Sequence, residues 1–148
     1  MQDDMRALLP KMPTGNVDFV GILPQAELAA RMSRSHVLAL PSVEEGLALV
    51  QGQAMACGCP VIATRATGAE DLFTDGVEGF ILEDRDVNGL AARLQQLADD
   101  PDLRERMSEA ALLRVKSLGG WDTYGERWDM LLHKLTGIAR DAGESPTS

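Results

Sequence analysis

The strongest constraint on the fold is a regular alternation of short apolar strands with segments whose apolar residues recur at helical spacing. We predict strands at 16–20, 36–40, 61–64 and 79–82. Predicted helices lie between these strands, and further helices follow the last strand. Since strands that alternate with helices pair in parallel through crossover connections, the pattern predicts an α/β fold. We expect an open, mostly parallel sheet with helices on both faces, followed by C-terminal helices.

Length and composition indicate one globular domain. The chain has 148 residues, of which 45% are apolar and 25% are charged, and both fractions are ordinary for such a domain. We expect the domain to span 1–140, with a short helix at 3–9 and a disordered tail at 141–148. The chain has no run of about 18 apolar residues and no secretory signal at its first residues. We therefore expect a cytoplasmic protein, whose peripheral contact with the inner membrane would need regions outside this chain.

Charge and cysteine usage argue against several functional classes. The 14 basic and 23 acidic residues give a net charge of −9, and nucleic acid is then not an expected partner, because such affinity comes mainly from Lys and Arg. Cys57 and Cys59 are one residue apart, which makes a poor disulfide framework and at most half of a metal site. We predict reduced thiols beside a turn. His36 and His133 lack catalytic partners at motif spacing, so we interpret them as core or surface histidines.

The segment 41–53, directly after the predicted strand at 36–40, is the best candidate for a binding site. Ligands of open parallel sheets bind beyond the carboxyl ends of the strands. Gly46 allows a ligand to approach the backbone closely. The helix predicted to begin at Leu47 or Ala48 offers unpaired N–H groups and the positive end of its dipole, which together suit a phosphate.

Polar side chains of the same segment can bind hydroxyl groups. The carboxylates of Glu44 and Glu45 can accept hydrogen bonds from a sugar, and Gln53 lies about two turns further along the helix, within reach of another hydroxyl. The alternative is structural: Glu44 and Glu45 could be first-turn charges that complement the helix dipole. The residues alone leave both interpretations open.

The segment at 41–64, PSVEEGLALVQGQAMACGCPVIAT, resembles the donor-site signature of family-4 retaining glycosyltransferases, also called group 1. That signature follows a strand and contains a Glu-Gly pair, a second acid, then Ala-Met-Ala and Pro-Val-Ile. The flanking segments at 16–28 and 67–82 resemble the stretches that precede and follow it in the family. The resemblance covers residues 16–136.

The resemblance implies a GT-B fold, in which two Rossmann-like domains enclose the active site and the C-terminal domain binds the nucleotide-sugar. This chain resembles the later part of that C-terminal domain. Glu45 would be the catalytic residue, the first acid of the family's Glu-x7-Glu pattern, and would contact the hydroxyls of the donor sugar. Gln53 would replace the second acid, which holds the ribose. The implied donor-binding residues are Ser42, Glu44, Gly46, Leu47, Ala48, Leu49 and Gln53, with Gly21, Ile22 and Leu23 near the base.

Two departures from the family pattern bear on activity. The upstream Arg and Lys that neutralise the leaving diphosphate have no match in this chain, and the acceptor-binding domain has none either. One lost charge-stabilising group reduces a rate by about 10²–10³, so we expect this chain alone to be inactive or nearly so. The uncovered sheet edge and helix face should be covered by the missing half or by self-association.

The resemblance thus favours the donor-binding part of a hexosyltransferase, which transfers a sugar from an NDP-sugar to an acceptor hydroxyl with retention. The acceptor, whether glycan, lipid or small molecule, is not specified. No metal cofactor is expected, since Asp84-Arg85-Asp86 matches an Asp-x-Asp motif only in its letters and sits where a helix cap explains it better. The alternatives are a non-catalytic nucleotide-sugar-binding remnant or interaction module and, less favoured, an epimerase of the same fold.

Overall fold

A three-stranded parallel sheet forms the centre of the protein. The computed structural model describes residues 17–136, so the predicted helix at 3–9 and the predicted tail at 141–148 lie outside the described residues. The strands are β1 (Leu38–Leu40), β2 (Val61–Thr64) and β3 (Gly79–Leu82), in the order β1-β2-β3. Leu40 pairs with Ala63, and Thr64 pairs with Leu82. The predicted parallel α/β sheet is confirmed.

Six α-helices connect and follow the strands within the described part of the chain. They are α1 (Gln25–Met32), α2 (Leu49–Ala56), α3 (Ala69–Leu72), α4 (Val87–Asp99), α5 (Pro101–Leu118) and α6 (Trp121–Thr136), with a 3₁₀ turn at Arg65–Thr67. Asp86 caps α4 by accepting a hydrogen bond of 2.8 Å from Gly89 N, as the sequence predicts. The sequence predicts the start of the last helix near Asp122, and α6 begins one residue earlier, so that Asp122 lies in its first turn.

Helices cover both faces of the sheet, because alternate residues of β2 point to opposite sides. Val61 and Ala63 pack with Met55 of α2 and with other residues of α1, α3 and α5. Ile62 packs on the other face with residues of β3, α4 and α5. All four residues of β2 are buried, which fits a central strand of a parallel sheet.

The segment that the sequence predicts as a strand at 16–20 is not a strand in its described part, 17–20. Val17, Phe19 and Val20 are exposed, at 52%, 37% and 44%. A strand exists only where a neighbour pairs with its backbone, and no strand among residues 17–136 pairs with this segment. In the described part of the chain, β1 therefore forms an edge of the sheet.

All the helices except α2 carry charged residues. The longest, α5, has 18 residues and includes Arg104, Glu105, Arg106 and Arg114. Among the residues from 17 to 136, no helix combines the length and the apolar character needed to cross a membrane.

Candidate functional site

The loop at 41–48 lies at the carboxyl edge of the sheet, where β1 ends. It leads into α2, which begins at Leu49, with Ala48 at its N-cap position. The helix therefore begins one or two residues later than predicted. No side chain caps it. The first N–H groups of a helix have no intrahelical partner, so this end of α2 can donate hydrogen bonds to a ligand.

Glu44 and Glu45 are both exposed in this loop, before the helix starts. The first turn of α2 contains no acidic residue. The alternative interpretation of the two glutamates as first-turn charges is therefore wrong. Their carboxylates lie at the carboxyl edge of the sheet, where they can accept hydrogen bonds from an external ligand.

Gly46 is not explained by the packing of the protein itself. A Cβ atom added at this position meets no atom within 4 Å, and its φ lies outside the left-handed region. Gly68 is different: its φ is +67°, and an added Cβ would lie 3.2 Å from Leu47 Cα. Gly68 is required by the contact between the two loops, whereas an alanine at 46 would fit the chain. The lack of a side chain at 46 leaves the backbone open to an outside group.

A buried amide joins the loop at 41–48 to the turn after β2. Gln51 is 0% exposed, and its Nε2 donates to the carbonyl of Thr67 at 2.8 Å. The same carbonyl accepts a hydrogen bond of 3.2 Å from Ala48 N. The Thr67 hydroxyl lies 2.7 Å from Thr64 O and 3.3 Å from Gln51 Oε1. These bonds fix the start of α2 relative to the end of β2.

A second bond reinforces the connection nearer to β1. The hydroxyl of Thr64 donates to the carbonyl of Ser42, and Thr64 itself is buried. Ser42 thus serves the structure through its backbone, which leaves its side chain for the predicted donor contact. The motif that resembles the donor-site signature does not single out Gln51 or Thr67. The available signal was helical spacing, because Gln51 lies three and four residues before the inward-facing Ala54 and Met55.

Arg65 is a further residue at this edge of the sheet, and no sequence motif marks it. It follows β2 directly, and a cation at the end of a parallel strand lies at the edge where ligands bind. Its Nε donates to Glu83 Oε1 at 2.7 Å, and its NH1 pairs with Glu70. Two carboxylates therefore surround this guanidinium, whose side chain is 51% exposed.

Gln53 and the loop at Gly21–Leu23 lie toward α1. Gln53 is exposed and lies one turn beyond Leu49. Helical spacing predicts that Leu49 faces inward, but its side chain is 64% exposed. Gln53 lines a groove of about 180 Å³ that α1 also lines, from Gln25 onward. Ile22 is 99% exposed. No hydrogen bond among the described residues joins this loop to the segment at 42–49, so their common use by one ligand remains a prediction.

The cysteines and histidines do not form a reactive or metal-binding site among residues 17–136. Cys59 is 1% exposed, and burial, with a smaller contribution from Cys57, raises its pKa to about 11. Both cysteines are free thiols, and Cys57 is half-buried. His36 is exposed, and His133 Nδ1 lies 2.8 Å from Asp129 O. In the described part, from 17 to 136, no group of three His, Cys, Asp or Glu residues could hold a metal ion.

A separate cleft of about 310 Å³ lies at the opposite edge of the sheet, before β1 and β2 begin. Arg34, His36, Arg104 and Ser108 are among its lining residues. Ligands of parallel sheets bind at the carboxyl edge, so this cleft is a less suitable site.

Comparison with known proteins decides the family. The sequence profile of the glycosyl transferases group 1 matches residues 8–114. The chain belongs to this family. A D-inositol 3-phosphate glycosyltransferase of Thermomonospora curvata is 35% identical over 114 residues, which are 77% of this chain and 26% of that protein. A GDP-mannose-dependent monoacylated alpha-(1-6)-phosphatidylinositol monomannoside mannosyltransferase of Corynebacterium glutamicum is 33% identical over 124 residues, 79% and 32% of the two chains.

Solved structures of similar fold agree with this assignment. A sucrose-phosphate synthase from Thermosynechococcus elongatus has a TM-score of 0.82 and 28% identity over 92% of this chain and 34% of that chain. Anabaena HepE in complex with UDP-glucose has a TM-score of 0.79 and 23% identity over 90% and 36% of the chains, which supports the fold alone. The fold implied by the resemblance to GT-B glycosyltransferases is confirmed. This chain of the group 1 family spans about a quarter to a third of the length of its curated relatives.

Proposed function

We propose that this chain binds the nucleotide-sugar donor of a group 1 glycosyltransferase, which transfers a hexose to an acceptor hydroxyl with retention. The observation that carries the proposal is the exposed Glu45-Gly46 pair in the loop before the uncapped N-terminus of α2. Two related findings support it. HepE, which shares the fold, has been solved with UDP and with UDP-glucose, and one relative is named as GDP-mannose-dependent.

The donor diphosphate would lie at the first turn of α2. Backbone N–H groups there and the helix dipole favour a negatively charged group. Gly46 would let the sugar and diphosphate approach the backbone through Leu49, with Leu47 and Ala48 contributing main-chain atoms. No metal is needed for this contact in our proposal, so a chelator should leave donor affinity unchanged.

Glu45 would accept hydrogen bonds from the sugar hydroxyls and so orient the anomeric carbon. In the transfer, the bond from that carbon to the diphosphate oxygen breaks and its electron pair leaves with the diphosphate. The acceptor oxygen forms the new bond on the same face, and its hydroxyl proton passes to the departing diphosphate. Glu44 and Ser42 would add polar contacts to the donor. Gln53 would hold the ribose through an amide that can both donate and accept, without the strength of a charge-assisted bond. The loop Gly21–Leu23 would lie near the base.

Transfer also requires a cation to stabilise the departing diphosphate. Arg65 is already paired with Glu70 and Glu83, so residues 17–136 supply little free positive charge directly after β2. We therefore propose that efficient turnover needs the remainder of a group 1 enzyme, which would also bind the acceptor. A second candidate function is a nucleotide-sugar-binding module without activity of its own. Two observations favour it: Arg65 is already paired, and an amide stands at Gln53 in place of an acid.

Contacts beyond the donor are also proposed. The exposed segment at 17–20 and the edge strand β1 should be covered by the remainder of such an enzyme or by a second copy of this chain. Light scattering of the purified chain at high concentration should show a mass above that of a monomer. A cytoplasmic location fits the two free thiols.

The test of donor binding is calorimetric titration with UDP-glucose, GDP-mannose and ADP-glucose, each beside its nucleoside diphosphate. We expect one base to be preferred. A hydrogen bond to a charged group contributes about 1.5–3 kcal/mol, so Glu45→Ala should weaken binding of the nucleotide-sugar by about 10- to 150-fold. The affinity for the free diphosphate should stay the same, because Glu45 contacts only the sugar.

The matched control is Glu109→Ala, which removes an exposed carboxylate on α5. It should leave both affinities at their wild-type values. Equal losses for the sugar ester and the free diphosphate in Glu45→Ala would contradict the role of this residue. Absence of binding by every nucleotide would contradict the proposed function.

A further inference from the structure

A polar pair lies fully inside the protein beneath the proposed donor loop. Gln51 and Thr67 are both 0% exposed, so neither side chain can touch a donor. Burying an amide requires hydrogen-bond partners, and an apolar side chain would fill the same space without them. Filling the core therefore does not by itself explain why polar side chains occupy these two positions.

The bonds of this pair converge on the carbonyl of Thr67. That oxygen accepts from Gln51 Nε2 at 2.8 Å and from Ala48 N at 3.2 Å. Ala48 is the N-cap residue of α2, and its own carbonyl accepts from Gln51 N at 3.0 Å. The amide of Gln51 thus connects a turn 16 residues further along the chain to the residue that begins α2.

The loop at 41–48 makes two further contacts with the residues at the end of β2 and after it. Leu47 rests against Gly68, which is in the left-handed conformation at φ +67°. Thr64, at the end of β2, binds the carbonyl of Ser42 through its hydroxyl. The loop that carries Glu45 and Gly46 is therefore attached at both of its ends to the residues that follow or end β2. The exposed middle of the loop has no such attachment among the bonds described.

We propose that Gln51 and Thr67 are positioning residues for the donor, which set the direction of the first N–H groups of α2 and the place of Gly46. The inference rests on the proposed function for its ligand. A displacement of about 1 Å in such a site can lower a rate by about 10²-fold, so a hidden pair can influence donor binding without touching the donor. Replacing it with apolar side chains would keep the core filled and release the loop.

The experiment uses the full chain with the single variants Gln51→Met and Thr67→Val and the double variant. The Thr67→Val change leaves Gln51 Oε1 unpaired and should lower the melting temperature by about 3–9 °C. The double variant removes the Gln51 Oε1 and Thr67 hydroxyl together, but the main-chain carbonyls of Thr64 and Thr67 still lose their side-chain donors, so it should recover only part of that loss. Its affinity for UDP-glucose, GDP-mannose or ADP-glucose, whichever binds the wild type, should nevertheless remain about tenfold or more below the wild-type value.

The matched control carries Gln95→Met and Thr74→Val, which change the same residue types at exposed positions. It should bind as the wild type does. If the double variant recovers both stability and affinity, the pair is merely structural and the inference is overturned. If affinity stays low while stability recovers in part, the positioning role is supported.

A second measurement separates this inference from the proposed function. Hydrogen exchange of the Ala48 amide, which donates to Thr67 O, should accelerate about tenfold or more in the double variant, while the amides of β2 stay protected. If the wild type binds no nucleotide but this exchange accelerates, the proposed function fails. The role of Gln51 and Thr67 in fixing the start of α2 is then still supported. If exchange at Ala48 is unchanged, the inference fails whatever the wild type binds.

Discussion

Replacing Gly46 with alanine should move stability and donor affinity in opposite directions. Within the protein, a Cβ at this position meets nothing within 4 Å, and the backbone is outside the left-handed region. Alanine at a compatible glycine stabilises a fold by about 0.4–1 kcal/mol, mainly by restricting the unfolded chain. For a chain of this length we expect the melting temperature to rise by about 1–4 °C.

The donor would meet the added methyl group if it approaches the backbone as proposed. Forcing an extra methyl into a close contact costs about 1–3 kcal/mol, which corresponds to an affinity loss of about 5- to 150-fold. The assay is a pair of measurements on one preparation, thermal unfolding without ligand and calorimetric titration with the preferred nucleotide-sugar.

Gly125→Ala is the matched control, because a Cβ there also meets nothing within 4 Å and the residue lies in α6, away from β1. It should raise stability without changing donor affinity. If Gly46→Ala binds the donor as the wild type does, the ligand does not approach this backbone. If the variant is destabilised, the description of the loop as open is wrong.

Three further predictions concern the fold. A Cβ at Gly79 would lie 2.9 Å from the Val61 carbonyl carbon and closer still to its oxygen, so Gly79→Ala should lower the free energy of unfolding by more than about 3 kcal/mol in urea denaturation. Asp86→Ala removes the cap on Gly89 N and should cost about 1 kcal/mol, whereas Asp86→Asn should cost less. Burial raises the pKa of the Cys59 thiol from 9.0 to about 11. The thiol of the unfolded chain therefore loses its proton at a lower pH, and the free energy of unfolding should fall as the pH rises between these two values. That fall should be smaller in Cys59→Ala, and an identical pH profile would contradict the assignment.

The sequence predicts best the elements whose determinants are local. The bounds of β2 and β3 agree with the predicted strands at 61–64 and 79–82, because short β-branched or apolar runs between turns have few alternatives. The cap at Asp86 is equally local. The segment at 17–20 has the composition of a strand but lacks a partner among the described residues, and pairing is not a local property.

The loop at 41–48, the proposed donor site, also combines features that are local in sequence with features that are not. Its position after β1 and its Glu-Gly pair could be predicted from residues that are neighbours in sequence. The burial of Gln51 could not, because its amide is satisfied by Thr67, which is distant in sequence and close only after folding. Helical spacing places Leu49 on the inward face, but α2 begins at this residue, and its side chain is 64% exposed.

The most direct test of the account is a map of backbone amide shifts on titration with the nucleotide-sugar that binds. Donor binding at the start of α2 predicts that the largest changes occur at Gly46 and at the first-turn amides of Leu49 and Val50. The side-chain amide of Gln53 should also shift. Changes centred on the cleft lined by Arg34 and Arg104, or no changes at all, would contradict the claim that this loop binds the donor.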